Sequence, residues 1–417
     1  MDRKMKDSGV PWIGIIPEDS DTIKIKFYCK DVFAGGTPDS NRVEYWDGEI
    51  PWLPSGACQD SQIHYANKFI SQLGFENSST KYIPAGTTIM AMTGATCAKT
   101  GYVTFKTCAN QSVVAFIQKE NCFSKYLFYA LQSARQYILT YQTGGAQAGI
   151  NVQNCKNFIL PFFPFCTQQR IANFLDRKCA EIDELAALQE TMIAELKKYK
   201  QSVITEAVTK GLIKNVPMKD SGVEWIGEIP DGWKVCRLKN IVCKRNEKTI
   251  NTKLNFIGLE HIASFLNELV STDNVYENDG ANMCYTSDII FGKLRPYLGK
   301  AKVIEDTCCC SSEFLVLYGA QCSNYIRYLM LSGWFIEIVN ASTYGTKMPR
   351  ANADFIMNMK IPKISLLEQQ AIAYYLDRKC TEIDELIAIK QQKLDALKEL
   401  KKSIIFEYVT GKKEVME

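Results

Sequence analysis

Two long stretches of the chain carry apolar residues at helical spacing. In residues 168–209, Leu185, Leu188, Ile193, Leu196, Tyr199, Val203 and Ile204 fall on one side of a helix. In residues 369–410, Leu386, Ile389, Leu394, Leu397, Leu400, Ile404 and Ile405 take the same places. The spacing is near a heptad without holding it strictly, which argues against a long parallel supercoil. Two amphipathic helices on one chain, neither able to stand alone, are expected to pair with each other. Pseudo-two-fold symmetry makes that pairing antiparallel. At about 1.5 Å per residue, such a helix reaches roughly 60 Å if continuous.

Ahead of each long helix the period shortens to two. In residues 21–165, IKIKFYC alternates as a strand does, TKYIPAGTTIMAMTGATCAKTGYVTF reads as strands and tight turns, and QSVVAFIQ is a further strand. KYLFYALQSARQYILTY returns to helical spacing, and GGAQAGINVQNCKNFILPFFP predicts a loop, a helical turn and a last strand. Residues 231–365 keep this order with different residues: strands around FIGLEHIA, DIIFGKLRPYLGKAKVI and EFLVLY, the helix NYIRYLMLSGWFIEIVN, the loop ASTYGTKMPRANADF, then MNMKIPKI.

The two long stretches are copies. At an offset of 201 residues, 23 of 42 positions are identical. Pro161 and Asn151 recur as Pro362 and Asn352 at the same offset. A leader, MKDSGVPWIGIIP at 5–17, returns as MKDSGVEWIGEIP at 218–230, with 11 of 13 residues identical. Repetition at this length is duplication of a domain rather than a solenoid. The expected plan is a leader (1–20), a globular segment (21–165), a long helix (166–213), a linker with the second leader (214–230), a second globular segment (231–365) and a second long helix (366–413). Trp12 and Trp225 are expected to anchor the leaders. The scaffold is shared while the middles have drifted, as for two readers on one frame.

Composition narrows the class. At 417 residues, 46% hydrophobic and 23% charged, the chain is an ordinary globular protein of two or more domains. No apolar run approaches the roughly 20 residues of a membrane span. The start, MDRKMKDSGV, lacks an apolar h-region, so a cytoplasmic protein is expected. The 16 cysteines form no C-x-x-C pair, and the two histidines, His64 and His261, supply a zinc site poorly. Cys308, Cys309 and Cys310 would alternate faces of a strand, so reduced, buried cysteines are expected. Net charge is +3, and each globular segment is itself +3: 12 Lys/Arg against 9 Asp/Glu in 21–165, and 16 against 13 in 231–365. That permits nucleic-acid binding without demonstrating it.

Catalytic signatures are missing. GATCAKT at 94–100 has Ala98 where a phosphate loop needs glycine, and GGAQAG at 144–149 follows a helix rather than a strand. No Asn/Asp-Pro-Pro-aromatic string of the amino-methyltransferases occurs. Glu181, Asp183 and Glu184, repeated as Glu382, Asp384 and Glu385, read as solvated faces or local ion pairs on a helix. The residues describe a binder without an active site, and no cofactor or metal site is expected on this chain.

Several motifs together resemble a known family. These are LDRKC-x-EIDEL at 175–185 and 376–386, the two leaders, GGTPDSNRVEYWDGEIPWL at 35–53 and IIFGKLRPYLGK at 289–300. Over essentially its whole length the chain resembles the specificity subunit of type I restriction–modification enzymes. The resemblance implies an α+β protein with two pseudo-symmetric α/β target recognition domains separated by an antiparallel two-helix coiled coil. Each domain would read one half of a bipartite site in double-stranded DNA, and the helices would set the spacer. Two modification (methyltransferase) subunits would dock on the repeated regions and restriction (translocase and nuclease) subunits would join them. S-adenosylmethionine, ATP and Mg2+ would then act on those partners. The second leader runs on into DGWKV where the first has no tryptophan, so the two domains are expected to differ there.

Base reading favours Arg, Lys, Gln and Asn in polar loops, and phosphate contact favours Lys and Arg. The candidates are Arg42, Lys99, Gln111 and Gln147 in the first segment, and Lys293, Arg295, Lys300, Lys347 and Arg350 in the second. Gly94 and Gly292 serve turns, and Tyr102 and Tyr297 are expected to pack. Two other classes stay open from the residues alone: a single-chain DNA methyltransferase or nuclease with an unrecognised site, and a scaffold protein built on its helices.

Overall fold

A computed structural model of the chain describes residues 4–144, 148–249, 254–265, 269, 280–345 and 347–415. The fold is α+β. It divides into two compact units, Met1–Leu188 with Lys393–Glu417, and Gln189–Gln392. The divisions fall inside the two long helices, Phe165–Lys210 and Leu366–Val409, so each unit holds the start of one helix and the end of the other.

In the first unit a five-stranded sheet has the order Cys29–Ala34, Val113–Gln118, Thr87–Ala91, Thr100–Val103, Ser61–Ile63, antiparallel but for the last pair. Alternation explains its two faces. Met90, Val114 and Phe116 pack with helix Ser124–Ser133, while Ile89, Ala91, Val113 and Ala115 pack with Leu53, Ile63 and Ile83 on the other side. A smaller sheet joins Trp46–Leu53 to Lys68–Ile70 and Cys108–Ala109. The GGTP string sits where backbone meets backbone: a Cβ on Gly35 would lie 2.0 Å from the Ala109 carbonyl oxygen.

The repeated motifs are the fastenings of this unit. Ile171, Leu175 and Cys179 of the first long helix, and Ile405 and Val409 of the second, share one core with Tyr126, Leu127 and Phe116. Asp176 accepts the Tyr129 hydroxyl at 2.8 Å and pairs with Lys125. Gln168 is fully buried; its Oε1 accepts from Tyr28 at 2.5 Å and from the Phe123 amide at 2.9 Å, and its Nε2 donates to Phe163 at 2.7 Å. The leader forms a hairpin, Met5–Asp7 against Ile15–Pro17. Trp12 pins it, donating to the Ile159 carbonyl at 3.2 Å and stacking on Tyr137.

The second unit repeats this plan. A four-stranded antiparallel sheet runs Cys243–Lys244, Phe314–Tyr318, Ile289–Gly292, Ala301–Val303. A second sheet runs Lys248–Thr249, Ala281–Cys284, Cys308–Cys310, Phe256–Ile257. Cys308 and Cys310 face one core and Cys309 another, as alternation requires. All 16 cysteines are free, and 12 of them are buried. Helices Ser323–Leu331 and Gly333–Ala341 cover the first sheet, and Tyr328 donates to Asp377 at 2.7 Å, matching Tyr129 and Asp176. Asn151 and Asn352 each cap a six-residue helix through a side-chain oxygen.

Three expectations are corrected. Leu185, Leu188, Tyr199, Leu386, Ile389 and Leu400 are about half exposed, whereas the buried side of the helices runs through Leu175, Cys179 and Ile182, and through Leu376, Cys380 and Ile383. The helices turn their buried stripe first toward the sheet-covering helices, and this rotates the predicted stripe partly outward. Asp183 and Asp384 are not local pairs: within the first unit Asp183 meets Lys401 at 2.7 Å, and within the second Asp384 meets Lys200 at 2.6 Å. Trp225 is 40% exposed, whereas Trp233, just past the second leader, is buried and its Nε1 donates to Glu368 at 3.1 Å.

Candidate nucleic-acid interface

At one end of each large sheet, three loops are laced together by backbone hydrogen bonds. In the first unit the Met92 amide donates to the Ser112 carbonyl at 2.8 Å, and the Ile150 amide donates to the Met92 carbonyl at 2.9 Å. The Ala91 amide donates to Lys99, closing a turn. In the second unit Lys293 donates to Glu313, Ala351 donates to Lys293, and Gly292 donates to Lys300, at 2.9, 2.9 and 2.8 Å. Every pair stands at the 201-residue offset: Ala91 with Gly292, Met92 with Lys293, Lys99 with Lys300, Ser112 with Glu313, Ile150 with Ala351. The frame of these loops is thus one frame used twice, while the side chains on it differ.

Backbone conformation follows the same register. Gly94 has φ +72° and Arg295, its counterpart, φ +50°. A left-handed conformation costs a non-glycine residue energy that glycine does not pay. The tight hydrogen bond from the Arg295 amide to the Pro349 carbonyl, 2.7 Å, holds it there. Gly149, opposite Thr93, admits the loop because a Cβ would lie 2.9 Å from the Thr93 methyl; its counterpart Arg350 pairs with Leu294 in the same bridge.

The second unit brings four of the five predicted cations onto two adjacent loops. Arg295, Lys347 and Arg350 are exposed and Lys293 is half-buried. Burial holds the Lys293 ammonium below the usual lysine value; Glu313 opposes this, and Lys244 and Arg350 add to it. Arg350 pairs with Glu313 at 2.5 Å. Tyr297, Tyr344 and Met348 stand exposed on these same loops, so Tyr297 does not pack as expected. Lys300 differs: its ammonium donates to the Leu259 carbonyl at 2.5 Å, a tie within the fold.

The predicted residues of the first unit are more dispersed. Gln111 bonds to Thr37 beside the Met92–Ser112 contact. Arg42 is exposed, 3.6 Å from Glu44 and over the Tyr45 ring at 5.5 Å. Lys99 donates to Gln59 at 2.9 Å. Tyr102 meets Phe128 edge-on and is partly buried. Gln147 lies outside the described residues.

Sequence reasoning passed over Glu313, Lys244 and Thr37. Extending the 201-residue offset through the loops would have found Glu313 opposite Ser112 and paired Lys99 with Lys300. Among the described residues no three His, Cys, Asp or Glu side chains are arranged to hold a metal. His261 is buried and accepts the Gly258 amide at 3.1 Å, an internal role. Among the described residues no helix is long and apolar enough to cross a membrane.

Residues 17–216 and 230–399 match the family described as the type I restriction modification DNA specificity domain. The chain belongs to this family. Among its relatives are two specificity subunits of Methanocaldococcus jannaschii. The chain is 25% identical to that of type I restriction enzyme MjaVIII over 95% of this chain and 93% of the relative. It is 26% identical to that of MjaIX over 97% and 96%. The Escherichia coli EcoR124I/EcoR124II specificity subunit is 25% identical over 47% of this chain and 45% of its own. Solved structures share the fold. A chain from a study of complex assembly and conformational transition of the type I R-M system superposes with a TM-score of 0.71, at 15% identity, over 94% of this chain and 98% of that one. The HsdS subunit of Thermoanaerobacter tengcongensis gives 0.50, at 15% identity, over 95% and 98%.

Proposed function

We propose that the chain is the DNA-specificity subunit of a type I restriction–modification complex, with each laced loop cluster reading one half of a bipartite duplex target. The observation that carries this is the shared register: two clusters on the same backbone frame present different side chains. Gly94, Gly149 and Ser112 stand where Arg295, Arg350 and Glu313 stand in the second unit. A frame kept while its side chains diverge is what two different half-sites require. The family and its named relatives support the same reading. In the second unit Arg295, Lys347 and Arg350 supply phosphate and guanine contacts. Arg42, Lys99, Gln111 and Gln147 serve the first half-site, and Lys300 supports its loop.

The long helices carry a second role in this proposal. Arg177, Glu181, Glu184 and Leu185 are exposed in the first copy, and their identical counterparts Arg378, Glu382, Glu385 and Leu386 are exposed in the second. Exposed identity retained in duplicate suits two copies of one partner, here two modification subunits. Methyl transfer with S-adenosylmethionine, and ATP- and Mg2+-dependent translocation and cleavage by restriction subunits, belong to those partners in the cytoplasm. The helix pair then fixes the spacer between half-sites.

The test is selection from a random duplex library by the complex with its modification subunit, read by adenine methylation. An asymmetric bipartite site is expected, and replacing residues 231–365 with another family member's domain should change one half-site. A complex without sequence preference would sink the reading.

A further inference from the structure

Among the described residues, Glu313 is the acid that acts on both Lys293 and Arg350 of the second loop cluster. Its Oε1 pairs with Arg350. Its Oε2 is buried and has no hydrogen-bond partner among the described residues. Its backbone carbonyl holds Lys293, and its charge opposes the desolvation of that ammonium, with Lys244 adding to the positive field. Stability does not explain this arrangement. The Arg350 side chain is 45% exposed and that of Glu313 24%, and a pair this open on its cationic side adds little to the fold. A carboxylate oxygen buried without a donor costs more than such a pair returns.

Comparison of the two copies sharpens the point. In the first unit the counterparts of Lys293, Arg350 and Glu313 are Met92, Gly149 and Ser112. The acid is present where the cations are present and absent where they are absent. A carboxylate offers two oxygens in the fork that guanidinium also uses for phosphate. We propose that Glu313 is an internal stand-in for a DNA phosphate, holding Arg350 in the free chain and yielding it to the duplex, so that it limits how strongly this unit binds DNA of the wrong sequence. The proposal rests on the DNA-binding reading above.

The experiment compares the wild-type chain with Glu313→Gln and Arg350→Gln, each in complex with the modification subunit. Fluorescence anisotropy is read with a non-specific duplex and with the selected target over a range of salt. Glu313→Gln should bind the non-specific duplex about three- to tenfold tighter at low salt, with a log–log salt slope steeper by about one. Target affinity should rise less, so discrimination falls. Arg350→Gln should weaken non-specific binding severalfold, which keeps the test sound if the Glu313 variant folds poorly. Unchanged or weaker non-specific binding by a folded Glu313→Gln overturns the proposal alone, as does a change in the bases it selects, which would make Glu313 a base reader. A wild-type complex that binds no DNA overturns the DNA-binding reading and this proposal with it.

Discussion

Lys200 on the first long helix sets its ammonium 2.6 Å from a carboxylate oxygen of Asp384 on the second. The same ammonium donates to the Phe265 carbonyl at 3.2 Å, and Phe265 packs against Gly299 at the end of the Arg295 loop. The matching pair of the first unit, Lys401 and Asp183, is as short at 2.7 Å, but Asp183 is 60% exposed. Burial should therefore separate two pairs that look alike in sequence. Lys200→Met should cost about 2–3 kcal/mol, because Lys200 is only 8% exposed and its loss strands a carboxylate and a carbonyl. Lys401→Met should cost less than about 1 kcal/mol. Denaturant unfolding of the two variants checks the difference.

The cations of the second cluster should divide by what they touch. Lys347→Ala should weaken binding to all duplexes alike and lower the log–log salt slope by about one. Arg295→Ala should cost about 1–3 kcal/mol and relax selection at one base position, because an exposed residue in a strained, fixed loop suits direct reading. Binding isotherms at several salt concentrations, with selection on a degenerate duplex, separate the two outcomes. Uniform loss in both variants would make Arg295 a phosphate contact as well.

Gly35 tests the close backbone approach in the first unit. Neither neighbour of a new Cβ is a movable side-chain tip: the Ala109 and Asn110 carbonyl oxygens would lie at 2.0 and 2.5 Å. Gly35→Ala should destabilise the first unit by about 1–3 kcal/mol or more and weaken reading of its half-site. Gly56→Ala has open space around it and should be near neutral. Thermal unfolding and half-site selection give the readout.

The proposed spacer role of the helices predicts an insertion effect. Four residues added near Leu196 and again near Leu397 lengthen each helix by about 6 Å. The recognised spacer should grow by roughly two base-pair steps of about 3.4 Å, with both half-site sequences unchanged. Sequencing of methylated sites measures both quantities, and an altered half-site would show that the helices do more than measure.

The sequence revealed the duplication, the strand and helix order and the long helices because those depend on local period and on identity between copies. It misplaced the buried stripe of the helices. Leu185 and Leu386 carry the right residue type, but which side turns inward is decided by Tyr126, Leu127, Tyr325 and Leu329 across the contact. Pairing of Asp183 with Lys401 joins residues far apart in the chain, so no local rule could find it. Candidate contacts were legible as residue types. Which of them stand free was not, since Lys300 is taken by a carbonyl of a distant loop while Arg295 is exposed on a backbone fixed by Pro349. The capping arrangement of Ser365 and Glu368 at the second long helix was legible and passed over; its Ser-x-x-Glu spacing is the usual signature.

The first unit takes its last wall from far downstream. Ile405 and Val409 complete the core around Tyr126, and the Tyr126 hydroxyl donates to the Val409 carbonyl at 3.0 Å. A ribosome reaches those residues about 200 codons after leaving Leu188, a delay of roughly 10–40 seconds at about 5–20 residues per second. During that interval the other unit can be assembled in full, while the one translated first waits with part of its apolar core uncovered. Order of synthesis and order of completion are thus reversed in this chain, and the first unit keeps part of its apolar core uncovered until the second long helix has been made.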